Sequence, residues 1–275
     1  MSQRPVPRRD IPDKLRVRPS SRPKLVDSEA DRSFGWDKDK AIAATAENLA
    51  RLEELQYKMY ADGRFAMLIA LQAIDGGGKD STIRYVFSAF NPQGCTVHAF
   101  KAPSAEELAH DYLWRVHAHA PPRGEIGVFN RSHYEDVLIA RVDNLVPRPV
   151  WQARYRHINE FERMLVESDI HVVKLFLHLS RAEQRRRFEV RIRDPRKQWK
   201  FEPQDLDKRA QWSAYRQAFG DMLGRCNTRY AHWYVVPADH KWLRDLAVSQ
   251  ILYQSLKSLS LRFPKPKFNP RLRVR

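Results

Sequence analysis

The sequence predicts a three-layer α/β/α fold on a five-stranded parallel sheet, and three observations lead there. Short apolar runs of strand character alternate with segments of helical period along the chain. The longest run, Phe65-Ala-Met-Leu-Ile-Ala-Leu-Gln72, is apolar up to its last residue, as in a strand covered on both faces. It leads into Gly76, Gly77 and Gly78 and then into a helical pattern. In open parallel sheets, ligands bind where such turns leave the carboxyl ends of strands.

Each element has its own signal. Residues 1–35 are rich in Arg, Pro and Ser with repeated X-Pro pairs, so an extended basic arm is expected there. From Lys38 to Tyr60, Ile42, Leu49, Leu52, Leu55 and Met59 fall on one helical face. After the glycine turn a helix should run from about Lys79 to Phe90. A short strand is expected at Cys95 to Phe100. Ser104 then opens a helix, with Glu107 three residues on as a capping box. Further strands read at Glu125–Phe129, Ile170–Leu179 and Trp233–Val236, and a helix from about Trp242 to Leu259 follows the last. The segment Leu261–Arg275 carries six basic residues, three Pro and no acid, and reads as a second basic arm. The expected organisation is a catalytic domain over 36–262, with a lid at about 183–212 and basic tails at 1–35 and 263–275.

Composition narrows the function. Of 275 residues, 49 are basic and 33 acidic, a net charge of +16. That excess points to an anionic partner: nucleic acid, an anionic membrane surface or a phosphate-rich molecule. The run Phe65 to Ala73 is too short to cross a bilayer. Residues 1–25 hold eight basic residues without an apolar core, unlike a secretory signal. Two distant cysteines, Cys95 and Cys226, give neither a disulfide scaffold nor a zinc site of the usual spacing. A cytoplasmic protein with no membrane partner is expected. His110, His117 and His119 lack the spacing of a helical metal pair, and core or surface roles suit them better.

Three segments carry chemistry. Ala73-Ile-Asp-Gly-Gly-Gly-Lys-Asp80 stands where a Walker A loop would, with Gly78 and Lys79 in place. Ala73 replaces the first glycine and Asp80 the Ser/Thr that usually helps hold magnesium, which makes Asp75 the candidate replacement ligand. A glycine turn with an incidental Lys is the plainer reading, but three consecutive Gly between strand and helix favour close approach of an anion. The second segment is Gly127-Val-Phe-Asn-Arg-Ser-His-Tyr-Glu-Asp136. Glu135 or Asp136 could act as the Walker B carboxylate and Arg131 could bind a phosphoryl group, while Ser132 reads as a helix N-cap. The third is Ser180 to Lys200, with nine basic residues that include Arg187 and Arg191 on one helical face, then Lys197 and Lys200. A solvated helix face would be ordinary for such a run. Its position after a central strand favours an anion-binding lid.

These segments resemble the polyphosphate kinase 2 family. The resemblance rests on Phe65 to Asp80, Phe90-Asn-Pro-Gln-Gly94, Leu108-Ala-His-Asp-Tyr-Leu-Trp-Arg115, Phe129-Asn-Arg-Ser-His-Tyr-Glu-Asp136, Asp194-Pro-Arg-Lys-Gln-Trp-Lys-Phe201 and Trp233-Tyr-Val-Val-Pro-Ala-Asp239 with Lys241-Trp242. It spans about residues 30 to 265, in family order, and Ala73 and Asp80 fit the family's variant loop. The resemblance implies a P-loop kinase-like core with a helical lid, and reversible transfer of phosphate between inorganic polyphosphate and nucleotides with Mg2+, or Mn2+ in its place. It implies that Asp75 and Asp136 organise the metal, and that Lys79 and Arg131 hold the transferring phosphate. Gly76, Gly77, Gly78, Asp80, Asn130, Glu135, Lys197 and Lys200 would line the phosphate path, and Arg187 and Arg191 would act from the lid. Asn130 is similar to the branch that acts on both AMP and ADP, a class III-like member, where other branches carry Asp. His232 departs from the Pro expected before Trp233. The implied partners are polyphosphate and adenine or guanine nucleotides, in a homo-oligomer such as a tetramer. The rival on the same fold is an ATP-dependent nucleotide or small-molecule kinase. A nucleic-acid-binding protein ranks third, since it leaves the carboxylates beside the glycine loop unexplained.

Overall fold

The computed structural model describes residues 11–19 and 21–269. Five strands, β1 (Ala66–Ala73), β2 (Cys95–Ala99), β3 (Ile126–Asn130), β4 (Ile170–His178) and β5 (Trp233–Pro237), form one parallel sheet in the order β2-β3-β1-β4-β5. Every residue of β1 is buried, as its unbroken apolar run requires of a central strand with helices on both faces. β1 pairs with β3 on one side, where Leu71 meets Asn130, and with β4 on the other, where Ala73 meets Leu177. The chain therefore reverses its direction of winding at β1, and the crevice lies beyond β1 and β3.

Two helices preceding the sheet, α1 (Ile11–Leu15) and α2 (Asp27–Ala30), are followed by α3 (Lys38–Asp62) and, after the glycine turn, α4 (Lys79–Val86). Then come α5 (Ala105–Ala109), α6 (Trp114–His117), α7 (Ile139–Val142), α8 (Arg148–Glu167), α9 (Arg181–Arg193), α10 (Gln204–Ala210), α11 (Trp212–Arg225) and α12 (Lys241–Ser258). Met67, Ile69 and Leu71 of β1 point to one face and pack with Val173 and Leu175 under α3 and α12. Leu68 points to the other, with Phe129, Val172 and the α8 residues Phe161 and Leu165. Alternation along one strand thus supplies both cores.

The structure departs from the sequence expectations in three places. Residues 11–35 are not an extended arm: Ile11, Leu15, Val17 and Leu25 are buried, and the Val17 amide donates to the Trp233 carbonyl at 2.8 Å. Those four apolar residues cover the β5 edge, which would otherwise present unpaired backbone groups. Residues 1–10 of that segment lie outside the described residues. The buried face of α3 is Ala41, Thr45, Asn48, Leu52, Gln56 and Met59, and Ile42 is exposed. Polar groups enter this face because each finds a partner: Thr45 Oγ1 donates to the Ala41 carbonyl, and Asn48 Nδ2 to Ser249 Oγ on α12 at 3.0 Å. The helix after the glycine turn ends at Val86, and a 3₁₀ turn covers Phe87–Ala89. Along the C-terminal segment the Arg262 amide donates to Asp62 at 2.7 Å and the Phe263 ring meets Tyr57; residues 270–275 lie outside the described residues. Both cysteines are free, and no helix among the described residues is long and apolar enough to cross a membrane.

Behind the sheet's carboxyl edge lies a buried charge network. Lys174 of β4 donates to Glu162 of α8 at 2.6 Å, to the Tyr134 hydroxyl at 3.1 Å and to the Cys226 carbonyl at 2.6 Å. Tyr134 in turn donates to Glu162 at 2.5 Å, with His133 Nε2 3.3 Å from the same oxygen. Burial alone would raise the Glu162 carboxyl, yet Lys174 and His133 hold it below the usual carboxylate range. Removing one partner strands the other charge in the interior. Lys174→Met should cost about 3–5 kcal/mol in urea unfolding, and adding Glu162→Gln should recover part of that loss.

Candidate active site

The turn after β1 is built around what its backbone must do. Gly78, the N-cap of α4, has φ +100°, and a Cβ there would strike the Arg244 guanidinium. A Cβ on Gly77 would lie 2.5 Å from the Ala73 Cβ and 2.8 Å from the Ile74 carbonyl. Asp75 and Lys79 flank this turn, and Lys79 Nζ donates to the Ala73 carbonyl at 2.9 Å. Burial pushes the Lys79 ammonium pKa down, while Asp75 beside it pulls the other way.

The end of β3 faces that turn. Arg131 sits in the left-handed region at φ +62°, its amide donating to the Leu71 carbonyl at 3.2 Å. Such a conformation in a bulky residue persists only where its surroundings enforce it. It leaves the Arg131 guanidinium 3.1 Å from Asp75. Lys208 of α10 reaches the other Asp75 oxygen at 3.6 Å. Burial works to raise the Asp75 carboxyl, but Lys79, Arg131 and Lys208 together hold it below its ordinary value. Asn130 Nδ2 donates to Asp80 at 2.9 Å, tying the two sides of the crevice together.

Ser132 caps the 3₁₀ turn His133–Val137, accepting from the Tyr134 amide at 3.3 Å. The Gln72 amide satisfies its neighbours when its nitrogen faces Glu135 Oε1 at 3.0 Å and its oxygen faces Ser132. Burial raises the Glu135 carboxyl against the pull of Arg131 and Lys79. Asp75, Arg131, Glu135, Gln184, Lys208 and Tyr215 share one small cavity of about 30 Å³.

Asp136 is not part of that cavity. The next step of the 3₁₀ turn carries it to Arg154 of α8, at 2.8 Å. The lid residues also divide. Arg187 clamps the loop, donating to the Gly76 carbonyl at 2.9 Å, to the Ala238 carbonyl at 2.5 Å and to Glu183 at 2.8 Å. Arg191 lies 3.8 Å from Asp205 and donates to the Lys200 carbonyl at 3.4 Å. Lys197 pairs with Asp194 at 2.7 Å, and Lys200 lies over the Trp199 ring, both outside the cavity. Sequence reasoning passed over Gln184, whose amide donates to the Asp75 carbonyl at 2.7 Å, and also Lys208 and Arg244. Arg244 is buried and bridges Asp245 at 2.7 Å and Ser81 Oγ at 3.0 Å in the first turn of α4. The i, i+3 spacing of Gln184 and Arg187 was the one signal available in the sequence.

The family model for polyphosphate kinase 2 matches residues 35–264. The chain belongs to the polyphosphate kinase 2 family. It is 48% identical over 256 residues to an AMP/ADP-polyphosphate phosphotransferase of Meiothermus ruber, covering 92% of this chain and 96% of that protein. It is 45% identical over 227 residues to an ADP-polyphosphate phosphotransferase of Rhodopseudomonas palustris, covering 78% of each. The crystal structure of polyphosphate kinase 2 from Arthrobacter aurescens superposes with a TM-score of 0.90 at 39% identity, covering 94% of this chain and 93% of that one. The five-stranded parallel sheet with its glycine turn and helical lid is thus a polyphosphate kinase 2 fold of the P-loop kinase-like type.

In this member of the family Asp136 also has a pH signature. Burial, only partly offset by Arg154, raises its carboxyl from 3.8 to about 6. The folded chain then keeps this proton to higher pH than the unfolded chain. Its contribution to stability is complete below pH 3.8 and is lost as pH rises through about 6, by about 3 kcal/mol at most. Asp136→Asn should remove that slope, so thermal unfolding from pH 4 to 6.5 should show wild type losing ground to the variant as pH rises.

Proposed function

We propose that the chain transfers the terminal phosphate of inorganic polyphosphate to a phosphate oxygen of AMP or ADP, reversibly and with Mg2+. The observation that carries this is the meeting of Lys79, Arg131 and Lys208 with Asp75 and Glu135 around one glycine turn at the carboxyl ends of β1 and β3. Phosphoryl transfer asks little covalent chemistry of a protein; it asks for position and charge neutralisation.

In this reading Lys79 leaves the Ala73 carbonyl, and Arg131 and Lys208 leave Asp75, when phosphate enters; all three then neutralise the oxygens of the transferring group. The freed Asp75 and its neighbour Glu135 fit Mg2+, which takes one or two carboxylates and completes its shell with water and substrate phosphate. Held there, the ion would neutralise the developing charge on the transferring phosphoryl group and the shortened polyphosphate that leaves. Burial raises the Glu135 carboxyl, and positive charge beside it, from Arg131 and Lys79, favours its charged form. Asp136 stands behind it and fixes the turn through Arg154. Arg187 keeps the loop in shape from the lid. A net charge of +16 suits a donor with about one negative charge per phosphate.

For the acceptor, Asn130, where other branches carry Asp, and the likeness to the Meiothermus ruber AMP/ADP-polyphosphate phosphotransferase favour both AMP and ADP. Purified protein with Mg2+ and polyphosphate, supplied with AMP or ADP separately, should form ADP and ATP on chromatography. Product from ADP alone would remove AMP from the acceptors. Failure of both, with ATP phosphorylating an acceptor through Lys79, would hand the site to the ATP-dependent kinase reading. Lys79→Met should lower turnover by about 10²–10³ or more while leaving thermal unfolding nearly unchanged.

A further inference from the structure

The reaction proposed above leaves a much larger cavity unused. It has a volume of about 500 Å³, within the roughly 300–1,000 Å³ of small-molecule sites. Its walls include Lys38 and Ile42 of α3, Tyr85 of α4, Arg186 of α9, and Lys241 and Trp242 of α12. It adjoins the glycine turn: Asp245 lines the cavity and holds Arg244, and Arg244 reaches Ser81 in the first turn of α4. Arg186 also lines it, while the adjacent Arg187 grips the Gly76 carbonyl.

The lining chemistry decides between occupants. Ile42 and Tyr85 are 43% and 42% exposed, and the half-buried Trp242 indole stacks on His240 at 5.2 Å and 26°. A bare polyphosphate chain has no apolar surface with which to cover such a wall. The cations are in excess as well. Asp239 accepts the Ser180 amide at 2.9 Å and Asp245 is taken by Arg244, so the fold itself occupies both acids. Among the described residues neither Lys38 nor Lys241 forms an ion pair, and Lys241 feels repulsion from Arg187, Arg244 and Arg186 that Glu183 only partly offsets. Arg186 is held by Glu183, which leaves Lys38 and Lys241 as the cations without an ion pair. An apolar aromatic wall beside those two cations, joined through Asp245 and Arg244 to the first turn of α4, fits a planar base with an anionic tail.

We infer that this cavity holds the base and ribose of a nucleoside triphosphate whose phosphates lie along the glycine turn, making it a second phosphate donor beside polyphosphate. The inference rests on the proposed phosphotransferase reading, since both donors would use Lys79 and Arg131. The bond between the γ-phosphorus and the β,γ-bridging oxygen breaks, and its electron pair leaves on the nucleoside diphosphate. A terminal oxygen of AMP forms the new bond to phosphorus. ATP and AMP thus yield two ADP with charge balanced and no net proton taken up or released.

The test uses the full chain with Mg2+ and no polyphosphate. ATP and AMP should give ADP, and Lys79→Met should abolish this, which excludes a contaminating kinase. Ile42→Glu and Tyr85→Ala, both at exposed positions, should lower ATP-driven turnover at least tenfold more than polyphosphate-driven turnover of AMP. In equilibrium dialysis with AMP saturating, wild type should bind one non-hydrolysable ATP analogue per chain and Ile42→Glu should bind it at least tenfold more weakly. The inference fails if ATP and AMP give no ADP while polyphosphate still phosphorylates AMP. It also fails if the analogue does not bind beside AMP, or if both variants depress the two donors equally. If polyphosphate drives no transfer either, the phosphotransferase reading falls with it.

Discussion

Lys79, Arg131, Arg187, Lys208 and Arg244 all converge on a single glycine turn, and cations this close repel one another unless the fold gives each an acceptor. Here the acceptors are internal: the Ala73, Gly76 and Ala238 carbonyls, Asp75 and Asp245. The same contacts leave little space among Asp75, Arg131, Glu135 and Lys208, a cavity of about 30 Å³. That constraint explains why Asp75 is engaged on both oxygens. A loop whose backbone and carboxylate are satisfied from within can stay ordered, and in the proposed reaction the Lys79, Arg131 and Lys208 contacts would be exchanged for phosphate oxygens.

A second layer keeps that exchange local. The 3₁₀ turn carrying Glu135 and Asp136 rests on Tyr134 and His133, and these are tied to Glu162 and Lys174 in the interior. Arg154 fixes Asp136 from α8, and Gln72 ties Glu135 to Ser132 from β1. The carboxylates are therefore referenced to the sheet and to α8 rather than to the lid. Helices α9 and α10 form the other wall, through Gln184, Arg187 and Lys208.

The sheet was legible in the sequence because most strands are short apolar runs and the glycine turn follows the longest such run. The loop residues Asp75, Gly76, Gly77, Gly78 and Lys79 were legible for the same reason: their geometry is set within a few residues. The choice between Glu135 and Asp136 was not. Adjacent residues on a tight turn point in different directions, and which one enters the cavity depends on Arg154, many residues away in sequence. Gln184, Lys208 and Arg244 were missed because their roles exist only once α9, α10 and α12 have packed against the loop. Residues 11–30 were misread because the Arg and Pro around them mask four apolar side chains.

Those first residues have a bearing on how the chain is made. Their docking site is the outer edge of β5, at Trp233 and Tyr234, together with Asn227, whose amide donates to the Val17 carbonyl at 2.9 Å. On the ribosome, the earliest part of the described chain to emerge is thus the part that finds its seat among the last. Ile11, Leu15, Val17 and Leu25 stay uncovered while more than two hundred residues are added. The Arg and Pro between them suit that wait: they keep a newborn apolar segment soluble and unpaired until its edge exists.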